Sequence, residues 1–286
     1  GLRNGPAQSS GGVMFDPWQD DSPHDECGVF GIYAPEMDVA RLTFFALFAL
    51  QHRGQESAGI AVTDGSRLIV HKDAGLVSQV FEEETLQALP GTLAIGHVRY
   101  STTSSSESRN AQPFARTRDS SFIALAHNGN LVNTDELRAG LVRNGQMLES
   151  TSDTEVIAAL LAEHPSRDIR EALRDVIPRL RGAFSALLLT KDEVIGFRDP
   201  YGIRPLVLGK LEDRYCLASE SSGLDIIGAQ LVREIEPGEI CVIGRDGYEI
   251  EQVVDRKREA LCVFEFIYFA RPDSVMKGQT LYNARS

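Results

Sequence analysis

The chain lacks the features that suit a protein to a membrane or a nucleic acid. Its longest apolar run, LTFFALFAL at 42–50, is far shorter than the roughly 20 residues that a membrane-spanning helix needs. Basic residues are in the minority, since 29 Lys and Arg stand against 41 Asp and Glu, and they form no cluster. We therefore predict that neither a bilayer nor a nucleic acid is a partner.

Cysteine is scarce as well. The four cysteines, at 27, 216, 241 and 262, are far apart, so the sequence has no CxxC pair and no zinc-ribbon spacing. Reduced thiols with individual roles fit this spacing better than a disulfide framework does. Residues 1–26 contain a single basic residue and no apolar centre, unlike a secretory signal, so the expected location is the cytoplasm.

The order of predicted elements favours an α+β fold. Residues 1–26, rich in Gly, Ser, Pro and Asp, are interpreted as a leader. Apolar periodicity then predicts a strand at about 28–33, a helix from about Asp38 and a helix near 76–89. Capping boxes predict helix starts at Asn133, with Glu136, and at Ser152, with Glu155. Short strands predominate from 184 onward, which is typical of antiparallel sheets with grouped helices.

Cys27 stands at the start of the first predicted strand. A buried structural cysteine is one interpretation. A nucleophilic thiol would need a base, and His52, His97 or His127 could supply it in a Cys/His pair. Alternatively, cleavage after Glu26 would free an α-amine with a pKa of about 7.7–8.0 on the same residue, which would then supply both nucleophile and base.

Three other segments carry groups that suit an amino-acid substrate. Asn128 and Gly129 end a strand, where an amide and a free N–H could form an oxyanion hole or simply a hairpin turn. Arg99 could bind a carboxylate or form a surface ion pair. Asp153 could bind an ammonium group or only complement a helix dipole. Beside a nucleophile, these groups would hold a zwitterion, and glutamine has the amide to cleave.

Together these segments strongly resemble the glutaminase domain of the glutamine phosphoribosylpyrophosphate amidotransferases. The resemblance covers residues 27–286 and implies the four-layer αββα fold of N-terminal-nucleophile hydrolases, with two packed antiparallel sheets. The segments that carry it are, in chain order, ECGVFGIY, ALQHRGQESAGIAV, GHVRYSTT, NAQPF, AHNGNLVN, SDTEVI, RGAFSALLL, RDPYGIRPLVLG and CLASES.

The resemblance also implies a role for each site residue. Cys27 would be the nucleophile, Asn128 and the Gly129 N–H the oxyanion hole, and Arg99 and Asp153 the ligands of the α-carboxylate and α-amino groups of glutamine. Further residues expected to line the site are Arg53, Gly54 and Thr102. The segment SSSESRN at 104–110 departs from the family pattern, where a glycine is expected, and RDPYGIRPL at 198–206 is interpreted as a structural turn.

Three segments follow from the same resemblance: a propeptide at 1–26, the glutaminase domain at 27–261, and at 262–286 a linker and the start of a phosphoribosyltransferase domain that continues beyond Ser286. Cys262 would be one of four ligands of a [4Fe–4S] cluster, or else an ordinary buried cysteine. Cys216 and Cys241 are interpreted as core residues. Mg²⁺ is expected in the phosphoribosyltransferase domain, and the glutaminase step needs no cofactor.

The implied function is hydrolysis of glutamine, with the ammonia used to make 5-phosphoribosylamine from phosphoribosylpyrophosphate at the first committed step of purine biosynthesis. Purine nucleotides would regulate the enzyme, and a homo-oligomer is expected. The alternative is a non-catalytic or other-substrate protein of the same fold that keeps Cys27 internal.

Overall fold

The computed structural model describes residues 27–100, 108–257, 271, 274–276 and 279–280. Most of its strands are short and most of its helices fall into two groups. The strands are β1 (Gly28–Tyr33), β2 (Ser57–Thr63), β3 (Leu68–Ala74), β4 (Leu93–Arg99), β5 (Phe114–Arg118), β6 (Ser121–Leu131), β7 (Gly182–Leu189), β8 (Val194–Arg198), β9 (Val207–Leu211), β10 (Arg214–Ala218), β11 (Gln230–Glu234), β12 (Glu239–Gly244), β13 (Gly247–Gln252), β14 (Val275–Met276) and β15 (Gln279–Thr280).

The helices lie between these strands. The α-helices are α1 (Val39–Ala49), α2 (Val77–Val80), α3 (Glu83–Gln87), α4 (Thr134–Arg143), α5 (Asp153–Ala162), α6 (Ile169–Val176) and α7 (Ser221–Asp225). Short 3₁₀ helices cover Gln51–Arg53, Ser108–Asn110 and Ile177–Arg179. No helix in the described ranges is long and apolar enough to cross a bilayer.

Two antiparallel sheets form the centre of the fold. The first has seven strands in the order β11-β9-β10-β1-β4-β2-β3, and the second has six in the order β13-β12-β8-β7-β6-β5. The strand β1 lies between β4 and β10, and β6 lies between β5 and β7. The strands β1 and β6 are therefore inner strands of their sheets.

The buried apolar residues form three clusters that define four layers. One cluster lies between the two sheets and includes Val29 and Ile95 from the first and Ala126 and Leu187 from the second. Another joins the first sheet to α1, α2, α3 and α7, and the third joins the second sheet to α4, α5 and α6. The predicted α+β class, with two packed antiparallel sheets and helices outside them, is confirmed.

Three local predictions differ from the structure. The helix predicted near 76–89 is split into α2 and α3 because Phe81, which is buried against His71, has extended backbone dihedrals. Asn133 does precede α4, but its side chain bonds the backbone of Arg179 and Arg181 instead of capping the helix, so the predicted capping box is wrong. Glu155 likewise does not complete its predicted box.

The two sheets approach each other closely at Gly31 in β1. A Cβ atom at this position would lie 2.9 Å from Val194 Cγ1 and 3.1 Å from Leu187 Cδ1, both on the opposite sheet. Protein interiors are close-packed, so extra atoms here must displace these side chains. The glycine therefore sets how closely β1 can pack against β7 and β8.

We predict that Gly31→Val destabilises the fold by roughly 1–3 kcal/mol, the usual cost of overpacking a core. Urea unfolding should show a lower midpoint with an unchanged m-value. Gly140→Ala is the matched control, because a Cβ there meets no atom within 4 Å inside α4, and it should raise stability by about 0.5–1 kcal/mol. Equal midpoints for wild type and Gly31→Val would contradict the packing argument.

Candidate functional site

A pocket of about 370 Å³ opens where β1 begins. Residues singled out from the sequence line it: Cys27 before β1, Arg99 at the end of β4, Gly129 and His127 within β6, and Asp153 at the start of α5. They come from both sheets and from the helix layer beside the second sheet. The fold therefore brings together a thiol, a cation, an anion and a glycine backbone that are up to 126 residues apart in sequence (153 − 27).

Asn128 and Gly129 face the start of β1 from the second sheet. Asn128 is fully buried, and its Oδ1 accepts a hydrogen bond from the Cys27 backbone N–H at 3.3 Å. Its Nδ2 is buried without a hydrogen-bond partner among the described residues, which makes it an available donor beside the thiol residue. An unsatisfied buried donor is costly in a folded protein and commonly marks a functional position.

Gly129 has a φ of +132°, and a Cβ atom there would lie 2.0 Å from the Ala183 carbonyl oxygen. Only glycine fits, because both the backbone conformation and the space exclude a side chain. Asn128 and Gly129 lie inside β6, paired with Ser185 and Phe184 of β7. The hairpin-turn interpretation of this Asn-Gly pair is therefore wrong.

Asp153 is the first residue of α5 and is held as a carboxylate. Its Oδ2 accepts the Leu131 N–H at 3.0 Å, and its Oδ1 lies 3.4 Å from Nδ1 of His127. Burial by itself would raise the pKa of Asp153, but the His127 imidazole and the backbone hydrogen bonds hold the pKa below its ordinary value. The pocket therefore contains a fixed negative charge at neutral pH.

Glu155 lies on the same helix, but its side chain contacts the loop before α5 and not the pocket. Its carboxylate accepts hydrogen bonds from the backbone N–H groups of Glu149 and Ser150, at 3.0 and 2.7 Å, and pairs with Arg116. Ser152 still caps the helix by accepting the Thr154 N–H. Glu155 thus fixes the loop before α5 and so supports the position of Asp153.

Arg99 supplies the positive charge of the pocket. Its side chain is 20% exposed and lies 3.6 Å from Glu56 Oε1, close enough for charge attraction but too far for a strong hydrogen bond. Gly54 packs against this residue, since a Cβ at Gly54 would lie 2.6 Å from the Arg99 carbonyl carbon. Gly54 therefore supports the site through the Arg99 backbone and does not itself line the pocket.

Arg53 contacts Cys27 and not the pocket. Its Nε donates to the Cys27 carbonyl oxygen at 3.0 Å, and its guanidinium pairs with Glu220. The Arg53 side chain is 0% exposed and that of Glu220 is 1% exposed. Burial would raise the pKa of Glu220, but the Arg53 charge and the His52 hydrogen bond lower it to about 2.

Two more predicted site residues, Thr102 and Cys262, lie outside the described residues.

The three histidines have partners other than the thiol. His97 Nε2 donates to the His127 carbonyl at 3.1 Å, and burial lowers the pKa of His97 to about 3, which leaves it neutral. His52 bonds the Ala49 carbonyl and Glu220, and His127 Nδ1 faces Asp153. Within the described ranges no Cys/His pair is formed with Cys27.

Gln112 is a site residue that sequence reasoning did not assign. It lines the pocket, and its Oε1 accepts the His127 N–H at 2.7 Å, which anchors the loop before β5 to β6. Asn110, in the same NAQPF segment, bonds the pocket residue Thr151. The NAQPF segment belongs to the motifs that resemble the family, and that resemblance was the signal available from the sequence, because an isolated Gln carries no chemical signature of its own.

The remaining motifs are structural. Cys216 and Cys241 are buried strand residues whose pKa is raised by burial to about 12, so their prediction as core residues is confirmed. In RDPYGIRPL, Asp199 accepts three backbone N–H groups and Arg198 donates to three backbone carbonyls, which confirms the structural turn. The described residues contain no group of three His, Cys, Asp or Glu that could hold a metal ion.

Comparisons with known proteins agree with this arrangement. A family model described as a glutamine amidotransferase domain matches residues 97–225. The chain is 53% identical to the amidophosphoribosyltransferase of Synechococcus elongatus, over 93% of this chain and 55% of that protein. It is 49% identical to that of Mycobacterium tuberculosis, over 94% of this chain and 52% of that protein.

Solved structures are similar as well. The glutamine phosphoribosylpyrophosphate (PRPP) amidotransferase from Bacillus subtilis, complexed with ADP and GMP, matches with a TM-score of 0.86 at 40% identity. This match covers 91% of the present chain and 56% of the other. The chain therefore spans about half the length of the curated relatives it matches.

The buried Glu220 carboxylate predicts a pH dependence of folding stability. Its folded pKa of about 2 lies below the ordinary 4.5, so the unfolded chain takes up its proton first as pH falls. The stabilisation is complete above about pH 4.5 and is lost as pH falls towards 2. We predict that the gap in unfolding free energy between wild type and Glu220→Gln shrinks by up to about 1.4 kcal/mol per pH unit in that window.

Urea unfolding at steps from pH 5.5 to 3 measures this gap. Glu251→Gln is the control, since that carboxylate is paired with Arg174 on the surface and its variant should track the wild type closely. A gap for Glu220→Gln that stays constant over the window would contradict the charge assignment.

Proposed function

We propose that the chain hydrolyses the side-chain amide of glutamine with Cys27 as nucleophile, as the glutamine amidotransferase domain of a protein of the amidophosphoribosyltransferase family. The observation that carries the proposal is the placement of Cys27 beside the Asn128 amide. The Asn128 Nδ2, which has no hydrogen-bond partner among the described residues, and the Gly129 N–H are donors of the kind that a tetrahedral oxyanion requires.

The base in this proposal is the α-amine of Cys27. Removal of residues 1–26 converts the Cys27 amide nitrogen, which has no basicity, into an amine with a pKa of about 7.7–8.0. Asn128 Oδ1, 3.3 Å from this nitrogen, would orient the amine so that its lone pair is free for the thiol. The thiol proton passes to the amine, and the thiolate forms a bond to the amide carbon of glutamine.

Collapse of the oxyanion then breaks the carbon–nitrogen bond. The proton held by the α-ammonium group goes to the leaving nitrogen, and ammonia departs with a thioester left on Cys27. Water attacks the thioester carbonyl while the amine takes its proton, and the same donors on Asn128 and Gly129 hold the second oxyanion. Glutamate leaves, and the free thiol and amine are restored.

Arg99 and Asp153 would hold the two charged groups of the amino acid. The guanidinium of Arg99 suits the α-carboxylate, and the carboxylate of Asp153 suits the α-ammonium group, because both residues line the pocket and the pKa of Asp153 is held below its ordinary value. Arg53 and Gly54 act through Cys27 and Arg99 respectively. Thr102 is proposed as a further lining residue on the resemblance alone.

The reaction of the complete protein is also a proposal. Its curated relatives are named amidophosphoribosyltransferases, so the ammonia would serve to make 5-phosphoribosylamine from phosphoribosylpyrophosphate in purine biosynthesis. We propose a propeptide at 1–26, the glutaminase domain at 27–261 and the start of a phosphoribosyltransferase domain at 262–286. We also propose that the phosphoribosyltransferase domain binds Mg²⁺ and that purine nucleotides regulate the enzyme. The complete protein is proposed to be a homo-oligomer located in the cytoplasm.

An iron–sulfur cluster does not fit the described residues by themselves. Cys216 and Cys241 sit in core strands with their thiols protonated, and Cys27 lies in the pocket. A [4Fe–4S] cluster takes four thiolate ligands. We propose Cys262 as one ligand, with three others from outside this chain, and no step of the glutaminase reaction involves the cluster.

We predict that protein beginning at Cys27 releases ammonia from glutamine. Cys27→Ser should lower this rate by at least about 10³-fold, because an α-amine is too weak a base to activate a hydroxyl as well as it activates a thiol. Ammonia release is followed by a coupled assay, and the start of each protein by intact mass. Cys241→Ser is the control, since its sulfur lies in the core between the sheets.

Full activity in protein that retains residues 1–26 would contradict the amine as base. Activity in Cys27→Ser protein equal to wild type would contradict the nucleophile.

We predict that Asp153→Asn raises the KM for glutamine by about 10–100-fold, the loss expected for one charge-assisted hydrogen bond, with a smaller effect on kcat. The matched control is Asp168→Asn, because Asp168 also stands at a helix start but outside the pocket. An unchanged KM in Asp153→Asn would contradict the assignment of Asp153 to the α-ammonium group of glutamine.

A further inference from the structure

The backbone of Cys27 is held by side chains at both of its polar atoms. Its N–H faces Asn128 Oδ1 at 3.3 Å, and its carbonyl oxygen accepts from Arg53 Nε at 3.0 Å. The first contact belongs to the pocket and to the oxyanion hole. The second comes from the 3₁₀ turn after α1, and the proposed mechanism does not use it.

Arg53 depends on Glu220 for its position. Both side chains are buried, and a buried guanidinium without its counter-charge is strongly unfavourable. Glu220 is itself fixed close to β1, because Ser219 exchanges two hydrogen bonds with Val29, at 2.9 and 3.0 Å. The carboxylate therefore determines where the Arg53 fork points, and Arg53 determines where the Cys27 carbonyl lies.

Two further donors to Glu220 come from a distant part of the chain. Its Oε2 accepts the Arg271 backbone N–H at 3.1 Å and the Ser274 hydroxyl at 2.8 Å. Ser274 is 1% exposed. Two donors that follow Glu220 by 51 and 54 residues thus meet the same carboxylate that orients Arg53.

We propose that Glu220 is a positioning residue that connects Arg271 and Ser274 to Cys27, so that the positions of these two residues set the reactivity of the thiol. This inference rests on the proposed glutaminase function. The connection runs from the Ser274 hydroxyl to Glu220, from Glu220 to Arg53, and from Arg53 to the Cys27 carbonyl. None of the residues in between lines the pocket in the described part of the chain, so the effect falls on kcat and leaves KM nearly unchanged.

Ser274→Ala tests the connection without removing a charge, so the buried Arg53–Glu220 pair remains complete. We expect kcat for glutamine and the alkylation rate of Cys27 by iodoacetamide each to fall by about 3–10-fold, since small displacements of a reacting group cost large factors in rate. The KM should change by less than about twofold, as expected when ground-state binding is intact. Ser274→Thr, which restores the hydroxyl, should recover most of the loss.

Ser222→Ala is the matched control. Its hydroxyl also donates to Glu220 Oε2, at 3.4 Å, but it belongs to α7 and does not connect the distant segment. All proteins are the full chain processed to begin at Cys27, with urea unfolding to confirm that each is folded. The control should keep kcat and the alkylation rate within about 1.5-fold of wild type, because its bond is long and weak.

Three results would overturn the inference: unchanged kcat and alkylation in Ser274→Ala, an equal loss in Ser222→Ala, or a rise in KM alone. A wild-type protein that fails to hydrolyse glutamine would instead refute the proposed function. In that case the iodoacetamide rates still decide whether Ser274 controls the Cys27 thiol.

Discussion

The contact between the two sheets is the constraint on which the rest of the structure depends. Cys27 precedes a strand of one sheet, and Asn128 lies in a strand of the other, so the hydrogen bond between them spans the interface. The apolar cluster in between fixes the distance, and Gly31 allows β1 to come close. A shift of either sheet would separate the thiol from its proposed oxyanion donors.

Local patterns predicted the parts of the fold that depend on neighbours in sequence. The strand at 28–33 and the helix start at Asp38 are found as predicted, because a short apolar run and an N-cap are local effects. The split at Phe81 and the side chain of Asn133 were missed, because each is decided by a partner outside its own segment, His71 in one case and Arg179 with Arg181 in the other. Tertiary contacts there override the local signal.

In the site, as in the fold, local sequence predicted the chemistry of single residues but not the contacts between distant ones. Residue types suggested what Cys27, Arg99 and Asp153 could do, but not that α5 would turn Asp153 to the pocket and Glu155 to a loop. Two positions along a helix differ by about 200° in direction, so acids at this spacing serve different partners. The pair of Arg53 and Glu220 joins residues 167 apart, and no local pattern contains such information.

The hydrogen bonds at Glu220 also bear on where the folded unit ends. Judged by its sheets, the unit is complete at Gln252, the last residue of β13. Judged by its buried polar groups, it extends to Ser274, which satisfies a carboxylate beside the first strand. A domain excised after residue 257 would keep every strand of the two large sheets, but the Glu220 carboxylate would lose the donors on Arg271 and Ser274. Strand content alone would therefore misplace the boundary of a self-sufficient fragment.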